Sequence, residues 1–177
     1  KYGRVLTIVR PGVVFGKDEN GNMSRLVKLI YKNIFFYSGN KDTLKAGIYV
    51  KELIEQMIWV NKSQVNKRFD AFVLFNSTFW PNYSLSNYVD SIKKVANISM
   101  PTMRVPYFFL YFISSIIDLI FNLFKKENQF SPVRIRKLKI NNFIKPNFLI
   151  SKKYKFKFNF LTSLKDWKKD DPEIWSS

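Results

Sequence analysis

Short apolar, β-branched runs that alternate with amphipathic stretches restrict this chain more than any other feature. Val5–Val9 ends at Arg10-Pro11-Gly12. A continuous apolar run closed by Pro-Gly suggests a strand buried on both faces, as in a parallel sheet. Met23, Leu26, Val27 and Ile30 then recur at helical spacing, with Arg25, Lys28 and Lys32 opposite. Ile34–Tyr37 reads as a strand closed by Ser38-Gly39-Asn40, and Ile48-Tyr49-Val50 feeds a helix whose inward face would be Leu53, Ile54, Met57 and Ile58. Phe72–Phe75 is another short buried strand. Ser84 is an N-cap candidate for a helix carrying Leu85, Tyr88, Val89, Ile92 and Val95 and ending at Asn97. Strands alternating with helices predict an α/β fold, with Val5–Val9 and Phe72–Phe75 side by side in one parallel sheet.

The chemistry open to the chain is narrow. It has no cysteine and no histidine among 177 residues, so disulfides, thiol nucleophiles, histidine bases and the usual zinc ligands are all excluded. Glu52 and Glu55 stand at helical spacing inside the chain, and read as a solvated helix face. The formal charge of +17 fits an anionic partner, or compositional drift in a chain heavy in Lys, Asn, Ile, Phe and Tyr.

Two further stretches stand apart. Residues 106–124 are almost wholly apolar between Arg104 and Lys125-Lys126, long enough for a membrane span, yet Asp118 lies inside them. A helix packed on protein is the expectation, with a membrane anchor as the rival. In the tail, Tyr154, Phe156, Phe158 and Phe160 alternate with Lys155, Lys157 and Asn159. This predicts an amphipathic strand or extended edge with its lysines in water, although aromatics among lysines could also stack bases in an RNA-binding protein. Ser163 starts a short closing helix through Trp167. No signal peptide pattern opens the chain, which favours the cytoplasm.

Three stretches in order carry a resemblance. Val5-Leu6-Thr7-Ile8-Val9-Arg10-Pro11-Gly12-Val13-Val14-Phe15-Gly16, then Lys45-Ala46-Gly47-Ile48-Tyr49-Val50-Lys51-Glu52-Leu53-Ile54, then Phe72–Asn76 with Ser84–Val89 are similar to segments of the extended short-chain dehydrogenase/reductases. These are the NAD-dependent epimerase/dehydratase enzymes of nucleotide-sugar metabolism. The tail from Ser131 to Trp167 resembles the family's closing pattern.

The resemblance implies the C-terminal portion of a doubly wound, Rossmann-type parallel sheet plus a small mixed α/β substrate-binding domain. The sheet part would take about residues 1–16 and 46–97, and the substrate part about 17–45 and 98–177. None of the six glycines forms the family's Gly-rich cofactor turn. That turn and the catalytic Tyr-x-x-x-Lys belong upstream of the Arg-Pro-Gly strand, so the chain is expected to begin mid-protein, its N-terminal half missing, and to be inactive alone. Tyr37-Ser38-Gly39-Asn40-Lys41 matches Tyr-x-x-x-Lys by spacing only, since Ser-Gly-Asn breaks the helical turn the chemistry needs.

Carried onto this sequence, the resemblance puts Pro11 and Gly12 beside the nicotinamide of NAD or NADP. Val13 stands where many members have an asparagine that contacts the nucleotide-sugar. Lys45 replaces an arginine that reaches the substrate diphosphate, Arg134 and Arg136 match a second basic grip, and Arg25 is a further candidate. No metal is implied. The implied partners are a UDP- or other NDP-sugar, the N-terminal half, and a second copy in a homodimer of the complete protein, with no nucleic acid.

Overall fold

The computed structural model describes residues 4–106, 108, 109, 112 and 140–176. Their elements are β1 (Leu6–Pro11), β2 (Val13–Phe15), α1 (Asn22–Tyr31), β3 (Phe36–Ser38), β4 (Leu44–Lys45), β5 (Gly47–Tyr49), α2 (Val50–Val65), β6 (Phe72–Ser77), β7 (Tyr83–Ser84), α3 (Leu85–Ala96), β8 (Met103–Val105), α4 (Asn147–Ser151), α5 (Phe160–Asp170) and a closing 3-10 turn (Pro172–Trp175). Residues 107, 110, 111 and 113–139 lie outside this description, and with them Asp118 and most of the apolar stretch. Among the described residues, no helix is long and apolar enough to cross a membrane.

The expected strand pairing is present. β1 and β6 run parallel, with Leu6 opposite Phe72 and Pro11 opposite Ser77. Side chains alternate across such a pair, and its two faces differ. Val73 and Phe75 are buried with Val60 of α2 and Leu149 of α4, and Val9 packs against them. On the other face Leu6, Ile8, Phe72 and Leu74 are 40–56% exposed. Parallel sheets are ordinarily covered on both faces; here four large apolar side chains face outward. β2 pairs parallel with β5, β3 parallel with β8, and β4 antiparallel with β7.

The main core is aromatic. Phe15 meets Tyr49, Phe160 and Trp167 at ring-centroid distances of 5.5, 5.7 and 5.7 Å, and Phe160 packs on Tyr88 at 4.4 Å. These rings join β2, β5, α3 and α5. α3 begins at the expected cap, where Ser84 and Asn87 bond reciprocally, and ends at Asn97 in the left-handed region. α5 starts three residues earlier than the sequence suggested. Asn159, not Ser163, is its cap, in a reciprocal pair with Thr162.

α2 corrects the sequence reading most clearly. Ile54, Met57 and Ile58 are exposed, while Glu52, Gln56, Ser63 and Gln64 are buried beside Val60. The reason is a set of polar partners on the inner side. Gln56 Oε1 accepts from Ser77 Oγ at 2.6 Å. Gln64 Nε2 donates to the carbonyls of Leu6, Asp70 and Ala71, and its Oε1 accepts from Thr7 Oγ1.

Glu52, read from sequence as solvated, is fully buried. Its carboxylate accepts from Tyr154 Oη (2.9 Å), Lys157 N (3.0 Å), Phe158 N (2.8 Å) and Gln56 Nε2 (3.3 Å). The alternation at Tyr154–Phe160 does appear as alternating exposure. The backbone there forms no strand, because two of its amides bond to Glu52 instead.

α5 is tied down from outside the core by Asp166. Its carboxylate accepts from Tyr49 Oη and Lys51 Nζ, both at 2.7 Å, and Lys51 also meets Asp170 at 2.6 Å. The hydrogen bond from Lys51, then that from Tyr49, hold the Asp166 carboxyl below its ordinary value. A depressed folded-state pKa contributes stability above the unfolded aspartate value, about 3.9, and that contribution is lost as pH falls through the folded value. Asp166→Asn is therefore expected to lower thermal stability at neutral pH and flatten its decline in acid. Melting curves with the same acid limb in both proteins would refute the linkage.

Candidate functional site

In open α/β sheets ligands gather beyond the carboxyl ends of the strands, and here that end is where the chain changes partners. Gly12 N donates to Ser77 O at 2.9 Å, completing the β1–β6 ladder, and Val13 N donates to Ala46 O at 2.9 Å, opening the β2–β5 ladder. A Cβ on Gly12 would lie 2.7 Å from Ala46 O and 2.9 Å from Ala46 C. Backbone cannot retreat as a flexible side chain can, so the strand exchange itself demands glycine at this position. Pro11 and Val13, on either side of it, are exposed.

The exchange brings two of the expected residues near one another. Val13 pairs with Gly47, two residues beyond Lys45. Lys45 is held by its own neighbours: its carbonyl accepts from Tyr88 Oη at 3.3 Å, its Nζ donates to Ile140 O at 3.0 Å, and its backbone bridges to Asn142. Burial pulls the Lys45 pKa below the ordinary lysine value. An ammonium carries three donors, so the single bond to Ile140 leaves capacity for an anion.

Arg25 lies on α1 with its side chain exposed. Arg134 and Arg136 lie outside the described residues. The Tyr37–Lys41 spacing match is no helical turn, since Phe36–Ser38 is a strand and Gly39 has φ of 97°.

Sequence reasoning passed over other residues at this end of the sheet. Arg10 and Asn76 face each other across the ladder one step before Pro11 and Ser77, and the Asn76 amide donates to Lys145 O at 3.4 Å. Lys145 Nζ sits 5.6 Å from the centre of the Trp80 ring, which packs on Phe143 at 5.8 Å. The signal available was position alone: polar residues in the last-but-one step of each strand. Two clefts of about 300 and 440 Å³ lie elsewhere, one beside Asp70–Leu74 and one between α2 and residues 153–157; neither includes Pro11, Gly12, Val13, Arg25 or Lys45.

No family model matches the chain. Over 134 residues it is 26% identical to the N-acetyl-alpha-D-glucosaminyl-diphospho-ditrans,octacis-undecaprenol 4-epimerase of Escherichia coli O157:H7, covering 76% of this chain and 39% of that protein. In fold it is similar to the UDP-N-acetylglucosamine 4-epimerase of Methanobrevibacter ruminantium M1, solved with UDP-N-acetylmuramic acid (TM-score 0.58, 16% identity, 95% of this chain and 46% of that one). It is also similar to a human epimerase family protein solved with NADPH (TM-score 0.61, 14% identity, 94% and 49%). The chain spans less than half the length of each.

Proposed function

We propose that this chain, related in sequence to an epimerase and sharing the Rossmann-type fold of nucleotide-sugar epimerases, is the C-terminal, substrate-binding part of an NAD(P)-dependent epimerase or dehydratase of the extended short-chain dehydrogenase/reductase family. The observation that carries the reading is the β1–β6 pair. It is a parallel ladder with Pro11-Gly12 at its carboxyl end and a bare apolar face of Leu6, Ile8, Phe72 and Leu74. In the complete enzyme that face packs on the cofactor-binding half, which also supplies the Gly-rich turn and the Tyr-Lys acid/base pair. The sheet portion is residues 1–16 and 46–97; residues 17–45 and 98–177 form the substrate domain. The complete protein works in the cytoplasm, and a homodimer is its assembly.

NAD(P), when bound, accepts a hydride from a sugar carbon. Pro11 is exposed at the carboxyl end of β1 and, with Gly12 beside it, suits contact with one edge of the nicotinamide. With no Gly-rich turn among its glycines, the chain does not hold the cofactor pyrophosphate by itself. Its own task is to orient the sugar substrate. Val13 borders the sugar, and Lys45 donates to the diphosphate, joined by Arg134, Arg136 and Arg25. Lysine keeps the charge of an arginine at this place but not its bidentate fork, so the grip is a point contact. The diphosphate is common to UDP-sugars and to the polyprenol-linked sugar that names the sequence relative.

In the complete enzyme, Lys45→Ala is expected to weaken UDP-sugar binding by about 1.5–3 kcal/mol, as for a hydrogen bond to a charged group, with NAD affinity unchanged. Calorimetric titration of both ligands decides this. Unchanged UDP-sugar affinity, or equal losses for both ligands, would reject the assignment.

A further inference from the structure

Met103 on β8 lies opposite Phe36 on β3, and the two side chains are 73% and 40% exposed. Ile34, two residues before Phe36, is 56% exposed, and its amide donates to Leu29 O at 3.1 Å, placing exposed Leu29 at the same edge. Exposed Met100 lies three residues before Met103, and its carbonyl accepts from the Lys93 ammonium at 2.5 Å. A cluster of this kind on a protein surface marks a contact made with something else.

Basic side chains border this cluster at two helix ends, while Glu173 lies in the closing 3-10 turn that packs on α1. Lys28 and Lys32 end α1 next to Ile34, and Lys93 and Lys94 end α3 next to Met100. No Asp or Glu occurs between Glu19 and Asp42, or between Asp90 and Asp118. Asp42 and Asp90 act on Tyr37, whose side chain alternates to the face away from Phe36 and Met103. Just beyond β8, Phe108, Phe109 and Phe112 are exposed as well. An apolar patch bordered by lysines from two helix ends, on a chain of formal charge +17, has the two attractions that hold a protein on an anionic bilayer: buried apolar area and attraction to acidic headgroups.

We propose that the surface formed by Leu29, Ile34, Phe36, Met100 and Met103 docks on an anionic lipid bilayer. The docking stands on this surface alone. Its use, bringing the Lys45 end of the sheet to a diphosphate-linked sugar carried by a lipid, rests on the function proposed above.

The test is co-sedimentation of the full 177-residue chain with vesicles of phosphatidylcholine, and of phosphatidylcholine mixed with phosphatidylglycerol, at low and high salt. Binding is expected to the mixed vesicles only and to weaken with salt. Ile34→Ser combined with Met103→Ser leaves the charge untouched and is expected to weaken it by about tenfold. Both side chains are exposed, so the variant should melt like the parent. Lys28→Glu combined with Lys32→Glu should weaken it too. Absence of binding to the mixed vesicles would overturn the proposal without touching the epimerase reading. So would binding that survives the double serine variant, or binding lost instead with Ile8→Ser and Leu74→Ser. Tight binding of single-stranded RNA in place of vesicles would assign the charge to nucleic acid and overturn it as well.

Discussion

Glu52→Ala is expected to cost on the order of 3–5 kcal/mol of stability, because it strands several partly buried donors at once. Tyr154 Oη and the amides of Lys157 and Phe158 all bond to this one carboxylate. Alanine offers them no acceptor and admits no water without a cavity. Burial raises the Glu52 pKa, and the hydrogen bonds oppose that rise without cancelling it. The carboxylate therefore serves to satisfy the tail, at a desolvation cost the tail's donors only partly offset. Glu52→Gln keeps one acceptor oxygen and should lose less. Trp59, stacked edge-on against Tyr154 at 5.0 Å, gives a local fluorescence signal for the tail in urea titrations. An alanine variant as stable as the parent would show that the tail is held by its aromatics alone.

The second large effect concerns the cofactor. The 177-residue chain alone is expected to show no NAD or NADPH binding. Joined behind the first half of the Escherichia coli relative, it should take part in micromolar binding. The gap between millimolar and micromolar is about 4 kcal/mol, well beyond what Pro11 and Gly12 supply by contact. The same fusion should protect the amides of β1 and β6 from hydrogen exchange as their bare face becomes covered. Micromolar NAD binding by the 177 residues alone in a calorimeter would end the reading of an incomplete cofactor site.

The parts legible from the sequence were those decided locally. Val5–Val9 and Phe72–Phe75 announced a parallel pair by composition and their closing turns, and Ser84 announced α3 by cap chemistry. Asn159 and Thr162 carry the same kind of signal, ahead of the Ser163 start that the sequence suggests. α2 was misread because its outward stripe of Ile54, Met57 and Ile58 is more apolar than its inward one. Periodicity reports which residues share a face; it does not report that Ser77, Thr7 and the tail wait on the polar side. At the candidate site, Gly12 was expected to be bare for a ligand, and the structure adds a nearer reason in the Ala46 carbonyl. The approach of Val13 to Lys45 came from family resemblance, since two short ladders create it and no local pattern does.

The Glu52 bonds also set an order of events at the ribosome. Tyr154 and Phe158 follow Glu52 by 102 and 106 residues. At about 5–20 residues per second, their partner helix waits many seconds before they are made. Over that interval water must solvate the carboxylate, and the inner side of α2 has every reason to stay wet. Such distant pairings make folding slow and leave apolar strands open to wrong partners. The first two-thirds of this chain, with β1 and β6 already synthesised, thus still lacks the donors that satisfy Glu52 until its last segment emerges.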